Sequence, residues 1–367
     1  MTHSSADESN DAYKIDINLE DDEDNHRKRF FEKGLGALLD NPHFLLLHVP
    51  EDGSKMQIVQ PYSDLYHRKR MIKKINEERK IPSFYYALSH LWGISKENRH
   101  LWYDISNYVD DENGQPAAPV SMRPEKRDTL IALLKSHRDS YWWIDVLCAR
   151  TETPLDIMGD IYACCLGCYA MIDCEPAIIS QLYTKRIESK ELDDPAFKFE
   201  TMRDPEFLMP YEQYYVKECP QIIDLLSTLI SSEWWKRVWT WQEMALPTNV
   251  YLLAETTSYI CHQQTIILDE ITQLNAIMLT LYGVFKEIKN EVLALERIQP
   301  LWKWGAHTLY GPCRLRLWHI GIISTQNPQD DRSERSLEAF LTRASKLFGR
   351  YQEREFHHKG SSGQHLR

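Results

Sequence analysis

The chain has 367 residues, 43% of them hydrophobic, and a formal net charge of −11. That length suits two or three domains, or one large domain with extensions, and the apolar fraction supports a sizeable core. The acidic balance argues against nucleic acid as a main partner, since phosphate binding wants a basic field, and no stretch approaches the roughly 20 apolar residues of a membrane span. The N-terminus has no signal-peptide core. Eight cysteines are too sparse for a disulfide scaffold, and no Asn-x-Ser/Thr sequon occurs. A cytoplasmic chain with reduced thiols is the expectation.

Residues 1–25, with the acidic run Asp7 to Asp24, read as a disordered tail. Residues 26–80 read as an N-terminal extension, in which the apolar stretch Phe44–Val49 is set in basic, helix-like sequence. His-Arg-Lys-Arg occurs there twice, at 26–29 and 67–70, and reads as solvated helix faces, the alternative being an import signal. Residues 81–255 form the main domain, a βα alternation. Phe84–Trp92 is a short apolar strand stopped by Gly93, and 94–121 is an irregular insertion with the turn signal Asn113-Gly114. Arg123–Arg138 predicts a helix, with Pro124 in its first turn and Leu130, Ile131, Leu133 and Leu134 on its apolar face.

Tyr141–Cys148 predicts a second buried strand, Thr153–Cys165 a second helix, and Cys168–Ile172 a third strand followed by Asp173. Residues 190–218 are a long polar connection of the kind that is functional or mobile. Ile222–Ile230 and Trp234–Leu246 read as helices and Val250–Ala254 as a further strand. Residues 256–355 are assigned to a helical C-terminal region, with a long helical pattern over 267–297, and 356–367 to a loose tail. The fold class expected is α/β, a parallel sheet flanked by helices, with helical N- and C-terminal extensions.

The common catalytic signatures are missing: no phosphate loop, no Gly-x-Gly-x-x-Gly, no His-Glu-x-x-His and no Gly-x-Ser-x-Gly. Cys165 and Cys168 have the spacing of half a zinc site, but no second pair lies at a suitable distance, so the cysteines read as core and no metal is assigned. Trp142, Trp143 and Trp234 read as core; Trp92, at a strand end beside Gly93, is either core or a stacking face for a flat ligand. Asp145 lies inside an apolar run, where a carboxylate is expensive unless paired or hydrogen-bonded. Ser89, Arg150 and Arg237 are its candidate partners, and it either locks two strands together or serves a site. Glu243 follows Trp239 by four residues, so on a helix the two share a face; it is either a solvated or paired helix glutamate or a carboxylate beside an indole, able to accept ribose hydroxyls or stabilise a sugar cation.

Three blocks in fixed order resemble the HET (heterokaryon incompatibility) domain of fungal proteins. The first carries Tyr86, Ala87, Leu88, Ser89, Trp92 and Gly93, with His90 in place of an aromatic; the second carries Trp143, Ile144, Asp145, Cys148, Met158, Ile161 and Tyr162; the third carries Trp234, Trp235, Arg237, Trp239, Gln242 and Glu243. The resemblance covers about 84–255 and departs where Ala149-Arg150-Thr151 replaces Ile-Asn-Gln. It implies a TIR- or flavodoxin-like sheet and a role in non-self recognition and programmed cell death. Many TIR domains cleave the nicotinamide–ribose bond of NAD with a glutamate preceded by a tryptophan four residues earlier, and Trp239 and Glu243 have that spacing.

By this resemblance Glu243 is the catalytic candidate and Ser89, Trp92, Gly93, Asp145, Arg237 and Trp239 the ligand-binding ones. No cofactor is implied, NAD being the candidate substrate. The alternative is a non-catalytic module that self-associates or recruits other signalling proteins. Where the Glu243 carboxylate points bears on the choice: an open cleft near Ser89 favours catalysis, and a buried ion pair disfavours it.

Overall fold

The structure, a computed structural model, describes residues 14–17, 25–93, 100–190, 216–237, 239–257, 265–275 and 277–278. Most of the expected acidic tail, most of the 190–218 connection, the larger part of the 267–297 helical pattern and the tail from 356 lie outside the described residues. Two units divide the chain, residues 1–191 with 228–271, and residues 192–227 with 272–367. The described residues of the second unit fall mainly in one helix; the sheet belongs to the first.

In chain order, helix α1 (Asn25–Leu39), strands β1 (Leu46–Val49) and β2 (Met56–Val59) and helix α2 (Leu65–Glu77) come first. Strand β3 (Tyr85–His90) is followed by the short strands β4 (Leu101–Trp102), β5 (Val109–Asp110) and β6 (Val120–Ser121), then α3 (Pro124–Ser136) and β7 (Ser140–Ile144). A single helical turn, α4 (Asp145–Cys148), leads to α5 (Ile157–Ala163), β8 (Gly167–Ile172), α6 (Pro176–Glu188) and α7 (Cys219–Ile230). After a 3-10 turn (Glu233–Lys236) come α8 (Thr240–Ala245), β9 (Val250–Ala254) and β10 (Ile266–Ile267).

Eight strands form one sheet in the order β10-β9-β8-β3-β7-β1-β2-β5. Its centre, β9-β8-β3-β7, is parallel throughout. Every residue of β7 and β8 is buried, which is why these strands read as unbroken apolar runs: a parallel sheet is covered on both faces. Antiparallel strands extend both sides, β10 on β9 and β1 on β7, with Leu47 opposite Trp142. The expected α/β fold, a mostly parallel sheet with flanking helices, is present. Counting only the parallel strands in chain order, they lie 2-1-3-4, the doubly wound order in which the winding reverses between β3 and β8. Ligands in such sheets bind beyond the carboxyl ends of the strands at that reversal.

Residues 26–80 contribute more than helix. Strands β1 and β2 join the sheet, and α1 packs on α5 with Gly34 so close to Cys164 that a Cβ would lie 2.5 Å from its Sγ. Four-residue strands paired with distant partners leave little periodicity to read. Cys148, Cys164, Cys165 and Cys168 are buried free thiols, with Cys174 half-buried. Burial pushes the thiols of Cys148 and Cys165 up to about 12, so they behave as small apolar side chains. Among the described residues no helix is long and apolar enough to cross a membrane.

Three expected elements end differently. The strand read over Tyr141–Cys148 stops at Ile144, because the Asp145 carboxylate accepts the Val146 N–H at 2.7 Å and the chain turns, Ala149 N bonding to Asp145 O at 2.9 Å. The helix read from Thr153 begins at Ile157, since Thr153 instead closes a turn with Arg150, accepting its N–H at 2.8 Å. The helix read over Trp234–Leu246 is broken in two. The Asp173 carboxylate accepts the N–H groups of Glu233 and Trp234 at 3.0 Å each and caps the 3-10 turn; Arg237 is then extended before α8 begins.

Candidate functional site

The carboxyl ends of β3 and β7 and the broken segment before α8 bring a polar cluster together at the reversal point. Ser89, the penultimate residue of β3, sits at its centre. Its hydroxyl accepts the indole N–H of buried Trp234 at 2.8 Å and donates to Oε2 of Glu243. Tyr162 on α5 donates to Oε1 of Glu243 at 3.3 Å. Arg237 donates to the His90 carbonyl at 2.8 Å and faces Glu243 with Nη1 3.4 Å from Oε2 and Nη2 3.5 Å from Oε1. Glu243 is 3% exposed. Burial raises its pKa, a tendency that the Arg237 charge and the Ser89 and Tyr162 hydroxyls oppose without cancelling.

Asp145 lies across the strand ends from this group. None of its three expected partners holds it. Its carboxylate is bonded to His90 Nε2 at 2.9 Å, to the Trp92 indole N–H at 2.5 Å and to the Val146 N–H. Arg150 instead pairs with Glu112 at 2.8 Å, Ser89 with Glu243, and Arg237 with Glu243 and the His90 carbonyl. Burial alone would raise the Asp145 carboxyl; His90, the Trp92 N–H and Arg237 outweigh it, and the net shift is downward.

His90 is buried and has Lys126, on α3, on its other side. Lys126 Nζ lies 3.2 Å from His90 Nδ1, donates to the Leu91 carbonyl and is 3.7 Å from Glu255, which Arg123 holds at 2.6 Å. Burial, then the Lys126 charge, lowers the His90 pKa against the pull of Asp145. Nδ1 also lies 2.9 Å from the Leu91 carbonyl; in a neutral imidazole with the proton on Nε2, Nε2–H donates to Asp145, Nδ1 accepts from Lys126, and the carbonyl is left to the Lys126 ammonium.

The expected site residues are therefore not equivalent. Ser89, Arg237 and Glu243 form one bonded group, and Trp92 and Asp145 a second, linked to the first through His90. Trp92 keeps 51% of its surface exposed although its N–H is held, so an indole face stands free at the strand end. Trp239 precedes α8 as its N-cap and is 43% exposed, whereas Glu243 points inward. Gly93 is a packing residue in this geometry. A Cβ there would lie 2.6 Å from the Met122 backbone and 2.7 Å from the His100 carbonyl. Gly93→Ala is expected to cost about 1–3 kcal/mol through that overlap, read as a lowered midpoint in a urea melt.

Sequence reading missed His90, Lys126, Glu255 and Asp173 as members or supports of the cluster. One signal was available. Lys126, Leu130, Leu133 and Leu134 stand at i, i+4, i+7 and i+8 of α3, so the lysine shares the buried face.

The carboxylates set a pH dependence. Glu243 binds its proton more tightly folded than unfolded, so its contribution to stability falls as pH rises from 4.5 through its folded pKa. Glu255, raised first by burial, adds a slope of the same sign. Asp145 acts oppositely, its contribution being lost as pH falls from 3.8 through its lowered folded value. Urea melts at pH 4.5 and pH 7 are expected to show wild type losing more stability over that interval than Glu243→Gln; equal losses would contradict a desolvated Glu243.

Residues 85–243 match the model of a protein family described as heterokaryon incompatibility protein (HET). The matched span runs from β3 into α8 and holds every residue of the cluster except the support Glu255. No curated protein and no solved structure matches the chain.

Proposed function

We propose that this chain is an effector of heterokaryon incompatibility, acting in the cytoplasm to trigger programmed cell death, and that its reaction is cleavage of the nicotinamide–ribose bond of NAD. The observation that carries the proposal is a buried carboxylate, Glu243, joined to a strand-end serine at the reversal point of a doubly wound sheet, within the span that matches the HET family. In the reaction the C–N bond breaks with its electron pair going to the pyridinium ring, which leaves as neutral nicotinamide. The ribose carbon becomes oxocarbenium-like and is captured by water, which loses a proton. Glu243 as an anion stabilises that cation, as carboxylates do at glycosidic centres. The free face of Trp92 takes a flat ring, and Arg237 suits a phosphate.

Glu243 is closed off in this structure, so substrate entry requires Arg237 to swing aside. Its contacts to the carboxylate, 3.4 and 3.5 Å, are at the long end of hydrogen bonding, but the movement also gives up the 2.8 Å bond to the His90 carbonyl and the charge that offsets Glu243, which the cationic ring of the substrate must replace. The same sealing favours a second reading, in which the cluster locks the strand ends and the domain signals by TIR-like self-association. Incubating purified protein with NAD and measuring free nicotinamide, alongside a killing assay, separates the two. Release that is lost in Glu243→Ala supports cleavage; killing retained in that variant without any release supports assembly.

A further inference from the structure

The proposed chemistry leaves one buried cationic group of the cluster unused, Lys126. Its side chain is wholly buried, as are those of His90 and Glu255 nearly so. Burying charges costs more than apolar packing of the same volume, so such a row is not accounted for by stability. The row has a direction. It runs from Glu255 through Lys126 Nζ to His90 Nδ1, 3.2 Å away, from His90 Nε2 to Asp145 Oδ1 at 2.9 Å, and from Asp145 Oδ2 to the indole N–H of Trp92 at 2.5 Å. Exposure rises along it, from the buried Lys126 and His90 to Asp145, whose side chain is 11% exposed, and to Trp92, with half of its surface free.

We propose that Lys126 and His90 are positioning residues of the ligand site: Lys126 fixes the His90 tautomer, His90 holds Asp145, and Asp145 pins the Trp92 indole by its N–H edge so that its face is presented to a planar, electron-poor aromatic ring. The inference rests on reading Trp92 as the stacking face for the nicotinamide or adenine end of the substrate. An ammonium has donors and no acceptor, so Lys126, set beside both Nδ1 and the Leu91 carbonyl that lies 2.9 Å from that nitrogen, donates to both and occupies the carbonyl that would otherwise draw the proton to Nδ1. That leaves the imidazole proton on Nε2, facing the carboxylate. A carboxylate that receives His90 and the Val146 N–H on one oxygen has the other turned to the indole. An indole held at its edge loses little rotamer freedom when a ring stacks on it, which lowers the cost of binding.

The charged and titratable groups that face Lys126 come from every neighbouring element: Glu255 after β9, Arg123 before α3, Asp145 after β7, Arg237 after the 3-10 turn and His90 on β3. Burial, offset in part by Glu255, brings Lys126 down to about 8. The arrangement therefore changes charge within a range where the fold can be studied.

The test reads the indole itself rather than turnover. In a proton–nitrogen correlation spectrum, the Trp92 Nε1–H cross-peak is identified by its loss in Trp92→Phe. From pH 6 to 10 the wild-type peak is expected to move with a midpoint near 8. In Lys126→Met, and equally in Lys126→Arg, which keeps its charge and guards against a misfolded methionine variant, that midpoint is expected to vanish. A wild-type peak that stays put across the range, or one that moves identically in both variants, overturns the relay. Absence of nicotinamide release with the midpoint present would remove NAD cleavage and leave the relay standing; release with no midpoint would do the reverse.

Discussion

Glu243→Ala is expected to lower nicotinamide release from NAD by about 10²–10³-fold, the range seen when a single group that stabilises transition-state charge is removed. Among the described residues the carboxylate is the only acid that Ser89, Tyr162 and Arg237 all hydrogen-bond, so no neighbour in the cluster takes over its charge. Alanine also strands those three donors, which would lower activity through disorder alone. Glu243→Gln separates the effects, because its amide oxygen still accepts from one of the two hydroxyls and its NH2 donates to the other, while the charge is gone. A comparable loss in both variants, with both folded, assigns the effect to charge. The pH profile adds a sign: the group acts ionised, and its pKa is raised by burial, so the rate rises with pH through that raised value. Turnover unchanged in Glu243→Ala removes the mechanism.

Trp142→Ala is expected to be the most destabilising single change in the sheet, at about 3–5 kcal/mol. The indole is fully buried at the centre of β7, packs against Tyr86 at 5.0 Å, His137 at 5.3 Å and Tyr169 at 5.4 Å between ring centroids, and donates its N–H to Ser140 Oγ at 2.8 Å. Truncation leaves a cavity that rigid aromatic neighbours fill poorly, and it frees a buried hydroxyl. The corresponding fall in melting temperature is roughly 6–20 °C. Trp142→Phe retains most of the packing and should lose well under half as much. A loss below about 1 kcal/mol for alanine would mean that the surrounding rings collapse into the space.

Some parts of this architecture are legible along the chain and others are not. The strands β3, β7, β8 and β9 are visible because both faces of a central parallel strand are covered, which leaves runs such as Tyr141 to Ile144 with no polar interruption. Helix α3 is visible because Pro124 sits in its first turn and the leucines repeat at helical spacing. The pairing of β1 with β7 is not visible, since register between strands of four and five residues nearly a hundred positions apart has no local signature. The break before α8 is also hidden. It depends on Asp173, some sixty residues upstream, whose carboxylate takes the N–H groups of Glu233 and Trp234.

For this protein, residue order alone determined the α/β class, the central strands, the buried tryptophans and the short list of polar residues at strand ends, because these follow from local periodicity and from the cost of placing a carboxylate among apolar neighbours. Tertiary structure alone decided who meets whom. Asp145 takes His90 and Trp92 rather than an arginine, Glu243 turns inward to Ser89, and Lys126 leaves solvent to face an imidazole. A buried polar group must be satisfied by whatever the packing brings within about 3 Å, and that neighbour is set by strand order and crossover, not by position in the chain.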